Sequence, residues 1–291
     1  MRVVALVLLT VVAAGCGTKK AAPPVHHPAK RPAQTSTAGD LPVGVVGNVS
    51  FVVPGAVMDR GSLTQVAHDS LVLVDASSPA ASQVPLVASS YPTTTFALVG
   101  ASARDLHLHN VEGLVLRDDE AAHVMGLVAG LIASDVGAQQ PRVGWAGPQE
   151  IPLANAFADG VHAVDRSAQI LHSWSTSVPA SCKEAALALI ARGAVAVAAH
   201  RGICAGAVAS GAHEQDVVAL RLTDFEFPDA AAAAIVRDAL SGIDHGGHDV
   251  IFGYSTGAIG VGALDRRISS DTAIRARQLV GQLIGSSQTQ G

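Results

Sequence analysis

The stretch Leu114–Val164, LVLRDDEAAHVMGLVAGLIASDVGAQQPRVGWAGPQEIPLANAFADGVHAV, reads as strand, helix, strand, helix. Leu114–Leu116 is a short apolar strand. Asp118, Asp119 and Glu120 suit a helix start, where carboxylates meet the positive end of the helix dipole. Val124, Met125, Leu127, Val128, Leu131 and Ile132 recur at helical spacing, and Gly137 suits the stop. Gly126 and Gly130 keep one face of that helix small, so another element can approach closely; the expected partner is a sheet. Val143–Ala146 is the next strand, Gly147-Pro148-Gln149-Glu150 breaks it, and Leu153–Val164 is the second helix. Alternation of this kind builds βαβ units around a parallel sheet, which makes the fold class α/β.

Downstream the alternation continues. Gln169–Trp174, Ala194–Ala199, Val217–Leu222 and Val250–Tyr254 are strands. Between them lie helices at Ser181–Arg192, at Cys204 to about 210, and at Asp229–Leu240. Ser181, with Glu184 three residues later, matches a capping box. Ile274–Ile284 closes the chain as an amphipathic helix, with a polar tail over 285–291. Upstream, Val43–Val46, Ser70–Val74 and Phe96–Val99 are strands, and Ala81–Ser89 is a helix. Val49 to Ser62 is irregular, and Thr64–His68 is a helix candidate.

The first 16 residues have a different character. Arg2 precedes an apolar run from Val3 to Ala14, too short to span a bilayer, which needs about 20 residues. A basic start, a short apolar core and small residues make a signal peptide. Ala13-Ala14-Gly15-Cys16 resembles a bacterial lipobox, with Cys16 as the lipidated residue over a segment 1–16. The alternative is ordinary cleavage after small residues with Cys16 incidental. Residues 17–40, rich in Pro, Ala, Thr and Lys, form a tether without apolar period, reaching roughly 25–30 Å. Lys19, Lys20, Lys30 and Arg31 would meet anionic lipid there. His26-His27 in such a tail makes a poor metal site, and no metal or cofactor is expected.

Composition narrows the function. Hydrophobic residues make up 49 % and aromatics 3 %, so the core is Ala, Val and Leu. The net charge of −5 comes without any basic stripe, so nucleic-acid binding has no support. An extracytoplasmic hydrolase would need a nucleophile. Asp75, Ser77, Ser78 and His200 can be imagined as a triad, but no G-x-S-x-G follows a strand.

Doubly wound sheets bind ligands at the carboxyl ends of their strands. That rule nominates Gly47-Asn48, Ser77-Ser78, Gly147 to Glu150, Trp174-Ser175, His200-Arg201 and Asp224-Phe225. From these, Asn48, Ser77, Ser78, Gln149, Trp174, Arg201 and Asp224 are the candidate ligand contacts. Trp174 offers a flat face for a base or sugar, or is a half-buried packing residue. Arg201, beside a helix start, binds an anionic group or is a plain surface arginine. Cys182 and Cys204 flank the strand 194–199 at the same sheet edge, so they are expected to form a disulfide; the alternative is two buried thiols.

Several segments together resemble the basic membrane protein family, the PnrA-like substrate-binding lipoproteins of ABC importers. They are Ser70–Val74 with Val87 to Pro92 and Phe96–Val99; Glu120-Ala121-Ala122 with Gly126; Val143 to Pro148 with Phe157 and Gly160; and Lys183 to Ala186 with Ile190, Gly193 and Ala194. Their order and spacing span most of 41–265. The resemblance implies a two-lobed type I periplasmic-binding fold, each lobe a parallel sheet flanked by helices. Lobe one would be 41–116 plus 226–247, and lobe two 117–225 plus 248–284. It also implies a small-molecule solute such as a purine nucleoside, an ABC permease as partner, attachment to the membrane by acyl chains such as palmitate, and no enzymatic activity. The chain departs from the family where Val49–Met58 replaces an Asp- and Asn-containing motif. It departs again where Val217–Leu222 lacks an acidic turn, and where Glu226 or Phe227 stands near an expected lysine. A sensor or interaction lipoprotein that kept the fold without transport is the alternative these departures leave open.

Overall fold

A computed structural model describes residues 40–288. The expected signal peptide, Cys16, His26-His27 and nearly all of the tether lie outside the described residues.

The strands are β1 (Leu41–Val46), β2 (Ala56–Arg60), β3 (Leu71–Asp75), β4 (Thr95–Val99), β5 (Val111–Leu116), β6 (Arg142–Gly147), β7 (Gln169–Trp174), β8 (Ala194–Ala199), β9 (Val218–Arg221) and β10 (Asp249–Phe252). The helices are α1 (Leu63–Val66), α2 (Val84–Ser90), α3 (Asp118–Val136), α4 (Ile151–Val164), α5 (Pro179–Ala191), α6 (Ile203–Glu214), α7 (Pro228–Leu240) and α8 (Ser270–Gln288). They build two parallel sheets flanked by helices, one ordered β10-β5-β4-β3-β1-β2 and the other β7-β6-β8-β9.

Parallel sheets are covered on both faces, so their strands are apolar throughout. Leu71, Val72, Leu73 and Val74 of β3 are all buried, as are Val197, Ala198 and Ala199 of β8. In the first lobe α7 packs on β3, β4 and β5, while Leu63, Val66, Val84 and Val87 of α1 and α2 fill the opposite face. In the second lobe α3 lies on β6, β8 and β9, and α5 and α6 cover the other side. Helix α3 carries buried residues on every side because the sheet, α4 and α8 surround it.

Several boundaries and pairings differ from expectation for identifiable reasons. Gly126 packs against a helix and not a sheet: a Cβ there would collide with the Phe157 carbonyl of α4, and one on Gly160 with the His123 carbonyl of α3. Strand β2 arises within the stretch expected to be irregular; it is a half-exposed edge strand with weak apolar alternation. Helix α5 starts at Pro179, so Ser181 is inside the helix and caps nothing; proline at the first helical position sets the start instead. Helix α8 begins at Ser270 and runs into the expected polar tail as far as Gln288.

The largest correction concerns 248–284, expected in lobe two. Strand β10 pairs with β5, Asp249 opposite Gly113 and Phe252 opposite Leu116, so it belongs to the first sheet. Asp249 holds this edge. Its carboxylate accepts from the Ser102 hydroxyl at 2.6 Å and the Ala103 amide at 2.8 Å, and Arg104 lies 3.1 Å away. Only after Gly253 does the chain reach α8, which packs on α3. The two lobes are thus joined by three crossovers, β5 to α3, β9 to α7, and β10 to α8.

Candidate functional site

Every strand in each sheet runs parallel to its neighbours, so the loops after the strands gather at one edge of each sheet. The candidate contacts fall in those loops, except Trp174, which is the last residue of β7, but their side chains are not equally free.

Asp75, at the end of β3, gathers the first group. Its carboxylate accepts from the Asn48 amide at 3.1 Å, the Ser77 amide at 2.8 Å and the Ser77 hydroxyl at 2.7 Å. Gly47, with φ 92, brings its Cα against the Asp75 side chain where a Cβ would not fit. Burial alone would raise the Asp75 pKa; the bonds from Ser77 and Asn48 outweigh it and hold the carboxyl below its usual value. The Ser77 hydroxyl is therefore engaged, and the Ser78 hydroxyl caps the following turn by accepting from the Ala80 amide at 3.3 Å. The Asn48 side chain is exposed at the edge.

The second group surrounds Arg201, in the loop after β8. Its Nη2 donates to Asp118 Oδ1 at 2.6 Å and to Glu226 Oε1. Asp118 opens α3 directly after the first crossover, and Glu226 lies within the second, bridged to Ile259 of the third. Arg201, half-buried, thus ties lobe two to the crossovers. Neighbouring His200 places Nδ1 3.4 Å from Glu150 Oε1. Glu226 is 7 % exposed, and burial pushes its pKa up to about 7. Arg201 and His200 draw it down, and Asp118 pushes it further up.

A third group locks the crossovers to each other. Arg117 grips Asp119 through two bonds at 2.8 and 2.6 Å, and lies 3.5 Å from Glu120. Glu120 Oε2 accepts from the Tyr254 amide at 2.6 Å, and the Tyr254 hydroxyl donates to the Glu120 carbonyl at 2.8 Å. Gly253 leaves room for the Glu120 carboxylate that a Cβ would occupy. Burial, followed by the nearby Glu120, raises the Tyr254 pKa.

The remaining candidates divide. Asp224 accepts from the Arg221 backbone and guanidinium at 3.1, 3.2 and 2.6 Å, which closes the turn after β9. Gln149 is exposed. Trp174 is 39 % exposed and stacks on His172 with ring centres 5.1 Å apart. Ile151, Val178 and Ile203 are also exposed on this rim, after β6, β7 and β8 respectively. Cys182 and Cys204 are joined as a disulfide between the starts of α5 and α6, their Cα atoms 5.3 Å apart.

Arg117, Asp118, Glu120, Tyr254 and Glu226 form the polar link between the lobes, and none was singled out as a site residue. The acidic run 118–120 carried the signal, but it satisfied a helix start equally well.

Among solved structures, the chain is similar to an ABC transporter solute-binding protein from Conexibacter woesei DSM 14684. The identity is 14 %, the TM-score 0.61, and the match covers 85 % of this chain and 97 % of that one. It is similar to an ABC transporter solute-binding protein from Aeropyrum pernix K1 at 16 % identity and TM-score 0.53, covering 85 % and 92 %. A transcriptional activator of the comK gene from Bacillus halodurans shares the fold at 12 % identity and TM-score 0.56, covering 84 % and 98 %. At such identities these likenesses concern the fold alone. The comparison with curated proteins gives no match. The family described as ABC transporter substrate-binding protein PnrA-like matches residues 48–219, more than half the chain. The chain belongs to this family, the PnrA-like substrate-binding proteins of ABC transporters.

Proposed function

We propose that this protein is a lipid-anchored, extracytoplasmic solute-binding protein that delivers one small polar ligand to an ABC permease for import, with purine nucleosides as the first class to test. The observation that carries this reading is the pair of parallel sheets joined by three crossovers, with candidate contacts on the carboxyl edges of both. Asn48 and Ser77–Ser78 stand on one lobe's edge, and Gln149, Trp174, Arg201 and Asp224 on the other's. A ligand that touches both edges favours a closed arrangement, because only differential affinity shifts such an equilibrium. Trp174 supplies an aromatic face, and Asn48 and Gln149 supply exposed amides for base edges or sugar hydroxyls. No step of chemistry is assigned to the cleft, since its ionisable groups serve each other.

The test is a thermal-shift screen against nucleosides, bases, sugars and amino acids. A ligand at a hundred times its dissociation constant stabilises the native state by about 2.7 kcal/mol, a shift of several degrees. A response to another solute with none to nucleosides removes the nucleoside assignment and keeps solute binding. A second reading, a sensor that kept the fold, is favoured by Arg201, Ser77 and Asp224 all being engaged internally. It predicts no response to any solute and a protein partner that co-purifies. Anchoring through Cys16 is tested separately: Cys16→Ser moves the protein to the soluble fraction, and full membrane retention of the variant removes the anchor.

A further inference from the structure

At the amino ends of the first sheet's strands, opposite the cleft edge, lies a cavity of about 230 Å³. Its walls mix hydrocarbon, from Leu41 and Leu71 of the sheet and Ile235 and Ala239 of α7, with the hydroxyls of Ser70 and Thr95. Into this wall the second residue of β5 places a carboxyl group. Glu112 is 1 % exposed, and among the described residues nothing hydrogen-bonds or ion-pairs with it. A carboxylate drawn this far out of water favours a cationic partner at the cavity it lines.

The surroundings sharpen that preference. The titratable groups facing Glu112 are Asp238 on α7, and Asp244 and His245 in the turn after it. Both aspartates disfavour a second negative charge. Only His245 favours one, and its Nε2 already lies 3.0 Å from Asp238. The last turn of α7 adds the negative end of its dipole nearby. Burial, with these neighbours, pushes the Glu112 pKa up to about 7.

We propose that this cavity binds a small organic cation, with an alkylammonium head on the Glu112 carboxylate and its hydrocarbon against Leu41, Leu71, Ile235 and Ala239. A divalent metal fits poorly, because calcium takes six or more oxygen ligands and no group of three His, Cys, Asp or Glu suited to a metal exists among the described residues. An anion would meet two aspartates. The site goes beyond the cleft reading, since it lies at the opposite end of the same strands, roughly 15–20 Å away by strand length.

The experiment is calorimetric titration of the full chain with n-butylammonium chloride, with n-butanol and sodium butyrate as the neutral and anionic controls. At pH 8, where Glu112 is ionised, butylammonium binds saturably and the controls do not. At pH 5.5, where it is protonated, affinity falls at least tenfold. His245 lines the same cavity, so Glu112→Gln isolates the carboxyl; it removes binding at pH 8 as well. Ala239→Phe, which fills the cavity and leaves the carboxyl, is the second variant and also abolishes binding. No saturable binding at pH 8, equal binding of butanol, or undiminished binding by either variant overturns the proposal. Nucleoside binding in the cleft is read independently, because neither substitution touches the cleft edge.

Discussion

Replacing Gly126 by alanine tests the crossing of α3 and α4. The new methyl would run into the Phe157 carbonyl and stand 3.0 Å from Gly160 Cα. Both obstacles are backbone within a helix, so neither can swing aside as a flexible side chain would. Overpacking of a well-filled core costs about 1–3 kcal/mol, and a backbone obstacle puts this site at the upper end. Alanine also returns about 1 kcal/mol of helix propensity, which leaves a net loss of about 2 kcal/mol. The matched control is Gly206→Ala in α6, an exposed helical glycine whose Cβ would meet nothing within 4 Å. There the propensity term acts alone and stability rises by up to about 1 kcal/mol. Urea unfolding with the disulfide intact should separate the two variants by about 3 kcal/mol through their midpoints, with unchanged slopes. If Gly126→Ala proves as stable as Gly206→Ala, the helices can part without loss and the close crossing is not a constraint of the fold.

Reduction of Cys182–Cys204, or Cys204→Ala, should lower stability by roughly 3 kcal/mol, as chain entropy predicts for a loop of 22 residues; unfolding with and without reductant measures it. The folded Glu226 carboxyl holds its proton to about pH 7, against 4.5 for its ordinary value. The native state therefore binds the extra proton between those values, and the contribution of Glu226 to stability falls as pH rises from about 4.5 to 7. The advantage of Glu226→Gln over the parent should grow across that window, by at most about 3 kcal/mol; a difference independent of pH would contradict the raised value. Asn110 is buried, and its Nδ2 donates to the carbonyls of Ala88, Tyr91 and Thr94 at 3.0–3.1 Å. Asn110→Asp turns that donor into an acceptor facing three acceptors, and melting should show a loss of about 3 kcal/mol or more.

The α/β alternation was legible because parallel strands bury both faces and leave unbroken apolar runs such as Val72–Val74 and Val197–Ala199. Where a strand departs from that rule, the reading slipped. Strand β5 starts at Val111 and not at Leu114, because Glu112 and Gly113 interrupt its apolar character. Strand β2 stands last in its sheet and has mixed composition, so Ala56–Arg60 reads as loop. The place of β10 is decided by what lies beside β5, a fact of topology that no local pattern in Val250–Tyr254 records. The glycines of α3 announced a close approach without saying to what. In the site, strand-end position nominated loops at the carboxyl edges of both sheets. It could not show that Ser77, Asp224 and Arg201 are bonded to Asp75, Arg221, and Asp118 with Glu226, since those partners lie on other elements or in other roles.

The disulfide has a consequence for recognition. It fastens the start of α5 to the start of α6, and the Thr176 carbonyl in the loop before α5 rests 3.3 Å from Cys182 Sγ. The segments leading into these helices run from Trp174 at the end of β7 through Val178 on one side, and through Arg201 to Ile203 at the start of α6 on the other. Ordering a mobile side chain on association costs about 0.5–1.5 kcal/mol. A rim held covalently has met part of that cost before any solute arrives. Breaking the strap should therefore weaken capture through the entropy of binding even where the fold survives, with the binding enthalpy little changed.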